Sequence, residues 1–232
     1  QVEGYLYFVN NDGTLPVFMS IRKEKLQGWV RYETDGEFKN IVNVNREMFC
    51  IVERTINSVT KTFLESFSNE QFLDAASNLT SASATKDFTV AHLPNTTVHV
   101  RSGNYSLGSY TTDSSGDLTL PDAVTECGIG INYVQEITTL PPDFQLNNGV
   151  SVGQKRRIVR AVLDLYKTLN VKAKGTTILI RSVTDDFSAA PDVVTERKEV
   201  YLLGWSRDGT VTIKSEEPLQ MTINGILLEV EV

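Results

Sequence analysis

Basic charge is the first shortage. With 22 Lys and Arg against 29 Asp and Glu, the 232-residue chain carries a formal net charge of −7 and an isoelectric point near 5.0. Phosphate binding draws mainly on clustered Lys and Arg, so this balance argues against a protein that grips nucleic acid. Cysteine is scarce too. Cys50 and Cys127 lie far apart, without the dense spacing of a secreted disulfide scaffold, and read as free, buried thiols. The two histidines, His92 and His99, fall in different predicted elements with no Cys pair nearby, which matches no metal-site spacing. No stretch approaches the ~20 apolar residues that span a bilayer as a helix. Nucleophile-elbow, P-loop, dinucleotide-binding and His-Glu-x-x-His motifs are all missing. No catalytic, cofactor-binding or metal-binding residue is therefore assigned, and the chain is expected not to be an enzyme. The start, Gln1-Val2-Glu3-Gly4, has neither an initiator Met nor a signal pattern and reads as the interior of a longer chain.

What the sequence has in quantity is alternation of apolar and polar residues with Gly-based punctuation, the pattern of half-buried strands joined by tight turns. Tyr5, Tyr7 and Val9 fall on one face of a first strand, with Leu6 and Phe8 on the other. Asp12-Gly13, Asp35-Gly36 and Asp208-Gly209 sit between apolar runs and predict three hairpins with type I′ turns. Met48–Arg54 and Thr60–Phe67 complete a first block of strands that fits propeller blades or a sandwich sheet. Residues 69–85, rich in Ser, Ala, Asn and Thr, read as a connector.

Short apolar runs at 88–90, 97–100, 105–108, 117–121 and 127–133 then predict a small β-sandwich. In the third block, Arg156–Lys167 places Val159, Ala161, Leu163 and Leu165 on one face and Arg160, Asp164 and Tyr166 on the other. β-Branched residues and strict alternation favour a strand there, with a helix as the runner-up. Alternation runs to the last residue, Val232. The expected fold class is all-β: propeller-blade-like antiparallel sheets with an inserted small β-sandwich. The expected domains are 1–75, a β-meander of terminal blades, 76–133, the insert, and 134–232, a β-domain packing back on the first. Its shared core would combine Phe49, Ile51 and Phe63 with Val159, Leu163 and Leu202.

Few residues invite a chemical role. Asp185-Asp186, Glu196 and Glu216-Glu217 are the only acidic groupings that could supply paired carboxylates for sugar hydrolysis, and acidic pairs in polar loops read first as solvated turns. Three glycosylation sequons, at Asn78, Asn95 and Asn104, read as turn residues. Lys155, Arg156, Arg157 and Arg160 form the single basic cluster. An intersubunit contact is its first reading, a solvated edge and a nucleic-acid contact the others.

The run Asp12-Gly13-Thr14-Leu15, then Gln27 to Gly36, Ile51 to Asn57 and Phe63-Leu64-Glu65, resembles the closing propeller blades of tail nozzle proteins of short-tailed bacteriophages, also called tail tubular protein B or phage stabilisation proteins. Thr139-Leu140-Pro141, Gly153 to Arg160, Gly204 to Ile213 and Glu217-Pro218-Leu219 agree in order. The resemblance covers most of blocks one and three and rests on turns and aromatics.

That resemblance implies a structural subunit of the virion tail, made in the host bacterial cytoplasm. Its implied partners are other copies of itself in a hexameric ring, tail adaptor or gatekeeper proteins, and tail fibres or spikes. DNA would pass through the ring without specific binding, and the net negative charge suits such a channel wall. The alternative is a receptor- or glycan-binding β-module of a spike or adhesin, using aromatics such as Trp29, Tyr105, Tyr110 and Trp205.

Overall fold

The computed structural model describes residues 4–21, 23, 25–143, 145–146, 149–150 and 154–231. Gln1–Glu3, Gly153 and Val232 lie outside them. The chain is all-β, and no helix occurs among the described residues. In chain order the strands are β1 (Tyr5–Tyr7), β2 (Leu15–Ile21), β3 (Leu26–Tyr32), β4 (Glu37–Val44), β5 (Glu47–Ile56), β6 (Val59–Ser66), β7 (Asp74–Thr89), β8 (Thr97–Ser102), β9 (Tyr105–Thr111) and β10 (Asp117–Ile131). They continue with β11 (Gln135–Thr138), β12 (Gln145–Leu146), β13 (Gly149–Val150), β14 (Arg157–Leu165), β15 (Lys172–Ala173), β16 (Thr176–Thr177), β17 (Arg197–Tyr201), β18 (Thr212–Ser215) and β19 (Ile223–Glu231). The expected strand over Arg156–Lys167 is present as β14.

Two compact units divide the chain: 1–100 with 108–131, and 101–107 with 132–232. The first contains the sheets β1-β2-β3 and β4-β5-β6 and most of β7-β10-β8-β9, whose residues 101–107 fall in the second. Leu15, Phe38, Cys50 and Val52 are buried together, with Tyr7, Val9 and Ile41 packed against them, so the first two sheets share a core. Residues 69–85, expected as a connector, are largely strand. β7 runs antiparallel to β10 from Asp74 to Thr89, with irregular register between Thr119 and Glu126 of β10. Small Ser, Thr and Ala side chains hide the strand from a hydrophobicity pattern, because only Phe88 of β7 is buried, and the ladder to β10 supplies what periodicity does not. The runs at 117–121 and 127–133, expected as two strands, are mostly one long strand, β10.

The Asp-Gly turns are not type I′ hairpins. At Asn11-Asp12-Gly13 the Asn10 amide donates to Thr14 O (3.0 Å) and the Gly13 amide to Asn10 O (3.1 Å). Gly13 takes a φ of +78°, and Asp12 Oδ1 accepts from the Thr14 amide at 3.0 Å. This is the three-residue loop closed by a left-handed glycine. A Cβ on Gly13 would lie 2.6 Å from Glu37 Cβ, so the tight approach of this loop to β4 also demands glycine. Asp35-Gly36 links β3 to β4, which belong to different sheets, and Asp208-Gly209 lies between β17, paired with β14, and β18, paired with β11 and β15. The two-residue primed turns occur instead at Asn45-Arg46 (φ +51° and +70°), closing Val44 against Glu47, and at Asn57-Ser58 (φ +49° and +63°), closing Ile56 against Val59. Asn tolerates the left-handed region and leads both.

The second unit places the sheet β17-β14-β19 and the sheet β11-β18-β15-β16 around one core of Ile158, Ala161, Leu163, Leu165, Val171, Ala173, Val200, Leu202, Val211 and Ile213. Ala161, Leu163 and Leu165 face inward as expected. Val159 does not: a bulge between Ile158 and Arg160 against β19 resets the alternation and buries Ile158 in its place.

The phase of β5 is also opposite to expectation. Cys50, Val52, Arg54 and Ile56 are buried, whereas Ile51 is 37% exposed. The expected inward set of Phe49 and Ile51 is the other face of this strand. The structure buries Arg54, and a period of two carries every other residue with it.

Candidate functional site

Arg54 is the most buried charged residue among those described, at 1% exposure. Its Nε and Nη2 donate to Glu65 Oε1 and Oε2, both at 2.7 Å. Nη2 also donates to Asp74 Oδ1 (2.7 Å), and Nη1 to Asp74 Oδ2 (3.0 Å) and to the Asp35 carbonyl (2.7 Å). All five guanidinium protons are thereby matched. Burial alone would lower the Arg54 pKa, but the hydrogen bonds it donates to Glu65 and then Asp74 raise it above the ordinary arginine value. Asp74 further accepts from Thr34 Oγ1 and from the amides of Asp35 (3.2 Å) and Ala75 (3.1 Å). One cation thus ties β5 and β6 to the link before β4 and to the first residue of β7. Beside it the Cys50 thiol is pushed up to about 11, by burial first and then by the Glu65 charge. The arrangement is saturated, with no guanidinium donor left for a ligand, and its chemistry is that of a structural joint.

The basic cluster does not form one outward patch. Lys155 is exposed. Arg156 is 3% exposed and donates through Nη1 to the Pro142 carbonyl, while its backbone bridges Ser206 (N to O 2.7 Å, O to N 2.9 Å). Arg157 is half-buried. Arg160 reaches across its sheet to Glu229 on β19 (Nε to Oε2, 3.0 Å) and to Glu199 on β17 (Nη1 to Oε2, 3.1 Å), and its pKa is raised by Glu199 first and then Glu229. Arg156 is buried ahead of β14, whereas Arg157 and Arg160, brought into phase by the bulge between Ile158 and Arg160, lie on one face opposite Glu231 and Glu229 of β19, which residue spacing in a basic run does not reveal.

The acidic groupings are occupied locally. Glu216 pairs with Lys172 and with Lys214 (2.6 Å), and hydrogen bonding from Lys172 and then Lys214 lowers its pKa to about 2. Glu217 Oε2 accepts from Ser106 Oγ at 2.5 Å, and Glu196 pairs with Lys198 at 2.5 Å. Asp185 and Asp186 accept from the amides of Ser182 (2.8 Å) and Ser188 (2.9 Å), closing turns of their own loop. His92 Nε2 lies 2.8 Å from the Ala75 carbonyl, with its ring edge-on to Phe63. Among the described residues no group of three His, Cys, Asp or Glu side chains could hold a metal ion, and no helix is long and apolar enough to cross a membrane.

The conspicuous surface features are apolar. On the outward face of β1-β2-β3, Leu6 (55% exposed), Phe8 (46%) and Trp29 (63%) surround Phe18, and the Trp29 ring lies 4.8 Å from that of Phe18 and 5.7 Å from that of Phe8. In the second unit, Tyr201 and Leu227 lie on the outward side of β17-β14-β19 with Arg160 and Val162. Leu203, past the end of β17, follows buried Leu202 and turns outward as well. Alternation in the sequence places Leu6 and Phe8 on one face, but which face meets solvent depends on the sheet beneath.

No protein-family model matches the chain, and no curated protein matches it significantly.

Proposed function

We propose that this chain is a structural part of a phage virion, a subunit of the tail nozzle ring that forms and closes the DNA ejection channel in short-tailed bacteriophages. On this reading the sheets of block one are the closing blades of a propeller, and the segment over 76–133 is an inserted small β-sandwich. The partners are other copies in a hexameric ring, the adaptor above and fibres or spikes around it, and the role is not catalytic.

The observation that carries the reading is the apolar surface exposed on two separate sheets, Leu6, Phe8 and Trp29 on one and Tyr201, Leu203 and Leu227 on the other. Large apolar patches on a folded β-protein mark interaction surfaces, and a ring subunit needs two of them. The resemblance of Gln27–Gly36 and Gly204–Ile213 to nozzle blades, and the net charge of −7, support it further. Electron microscopy of the purified protein at high concentration tests the proposal: rings with an axial channel are expected, and particles without a channel would overturn it.

The exposed Trp29, flanked by Phe8 and Phe18, favours one second reading, a glycan-binding module that stacks a sugar on the ring. Saturable binding of a bacterial surface polysaccharide, lost in Trp29→Ala, would support this reading over the first.

A further inference from the structure

β3 and β17 are both edge strands: among the described residues β3 pairs only with β2, and β17 only with β14. An edge strand leaves a row of backbone donors and acceptors open to another chain. Proteins commonly blunt such edges with charge, proline or a covering loop, yet β3 is open on both faces. Trp29 is 63% exposed on one, and Leu26 (48%), Val30 (55%) and Tyr32 (41%) are exposed on the other. At β17 the outward side chains Tyr201 (70%) and Leu203 (79%) stand at the edge.

We propose that β3 and β17 are the two halves of one head-to-tail interface, the β3 edge of one copy docking against the β17 edge of the next and continuing its sheet. This rests on the ring-subunit reading and adds the surfaces. A heterologous contact requires two different patches on each chain, and here the two edges lie in different compact units. Their sizes agree. Leu26, Trp29, Val30 and Tyr32 on the β3 edge, and Tyr201 and Leu203 on the β17 edge, each expose on the order of 300–500 Å², taking ~150–250 Å² for a whole aromatic. A standard interface removes ~800 Å² per partner, a little over half of it apolar, so each patch supplies most of one partner's apolar share. A β-ribbon seam would place Trp29 beside Tyr201 and Leu203 as cross-strand neighbours.

The test uses the whole chain with Trp29→Glu and Leu203→Glu, both at exposed positions, with Val30→Lys and Tyr201→Lys as second variants of each edge. Thermal unfolding confirms that each variant folds, and light scattering coupled to size exclusion reads the mass. The wild type is expected to rise with concentration above the single-chain 25.8 kDa, and each variant to stay at that mass. An equimolar mixture of the Trp29 and Leu203 variants retains one good pair of edges and is expected to form dimers and nothing larger. Self-association of the Leu203 variant alone would mean that β3 pairs with itself, and would overturn the proposal. A wild type that stays monomeric at every concentration would overturn it as well. If electron microscopy shows channel-bearing rings that both variants still form, the surfaces are wrong while the ring reading stands.

Discussion

Arg54 and Asp74, twenty positions apart, are joined by two hydrogen bonds, from Nη2 to Oδ1 at 2.7 Å and from Nη1 to Oδ2 at 3.0 Å. The same guanidinium holds Glu65 by two more. Replacing Arg54 by Leu leaves two carboxylates facing each other without their cation. The expected loss is about 3 kcal/mol or more, the range for breaking one side of a buried pair. Arg31→Leu, which removes an ion pair with Glu33 whose side chains are 65% and 59% exposed, should cost under about 1 kcal/mol. Urea unfolding of the two variants measures the contrast, and equal costs would show that Arg54 is not the joint described.

Gly209 has a φ of +60°, and a Cβ there would lie 2.5 Å from Arg156 Cδ. Gly209→Val is expected to destabilise by more than about 1 kcal/mol, because a β-branched residue adopts positive φ only with strain. Gly103 shares a positive φ, +55°, but has open space around its Cβ position. Gly209→Ala should therefore lower the melting temperature more than Gly103→Ala does, and the reverse order would refute the close approach to Arg156.

At the two primed turns the second residue is not glycine. Arg46 and Ser58 hold φ of +70° and +63°, a region that costs a side-chain-bearing residue ~1–2 kcal/mol. Asn-Gly is the preferred pair for this turn. Arg46→Gly and Ser58→Gly are each expected to raise stability by a few tenths to ~1 kcal/mol, after the entropy that glycine adds to the unfolded chain. Lower melting temperatures in both would contradict the assigned turns.

The Glu216 carboxylate titrates near 2, below its ordinary 4.5, because Lys172 and Lys214 hold its charged form. A folded-state pKa below the unfolded one means stability that is present above pH ~4.5 and lost as pH falls toward 2. Denaturant unfolding of wild type and Glu216→Gln should give a gap that is constant from pH 7 to 5 and closes between 4.5 and 2. A gap that persists unchanged at pH 2 would exclude the Lys172–Glu216–Lys214 contact as its source.

Cys50 and Cys127 are both buried and free, with thiols pushed up to about 11, chiefly by burial. The thiolate is the reactive form. Ellman's reagent at pH 8 is therefore expected to label the native protein slowly, at the rate of its opening, and to label both thiols at once in denaturant. Rapid stoichiometric labelling of the native chain would place either cysteine at the surface.

By itself the sequence determined that this chain is β-structured and roughly where its strong strands lie. Alternation over Met48–Arg54, Thr60–Phe67 and Arg156–Lys167 is a local property, and each segment became a strand, β5, β6 and β14. Two assignments of face were decided only in three dimensions. On β5, the five acceptors that gather around Arg54 come from residues 35, 65 and 74, and without them a buried arginine is too costly to predict. On β14, the partner β19 imposes the bulge that exchanges Val159 for Ile158. Pairing was equally nonlocal. Asp35-Gly36 and Asp208-Gly209 look like hairpin turns, yet their flanking strands separate into different sheets, because a turn residue fixes φ at one position and the ladder is chosen by the apolar faces that must be covered. β7 shows the same limit from the other side, since its Ser, Thr and Ala carry no hydrophobic period and β10 makes it a strand through backbone hydrogen bonds that no side-chain pattern records.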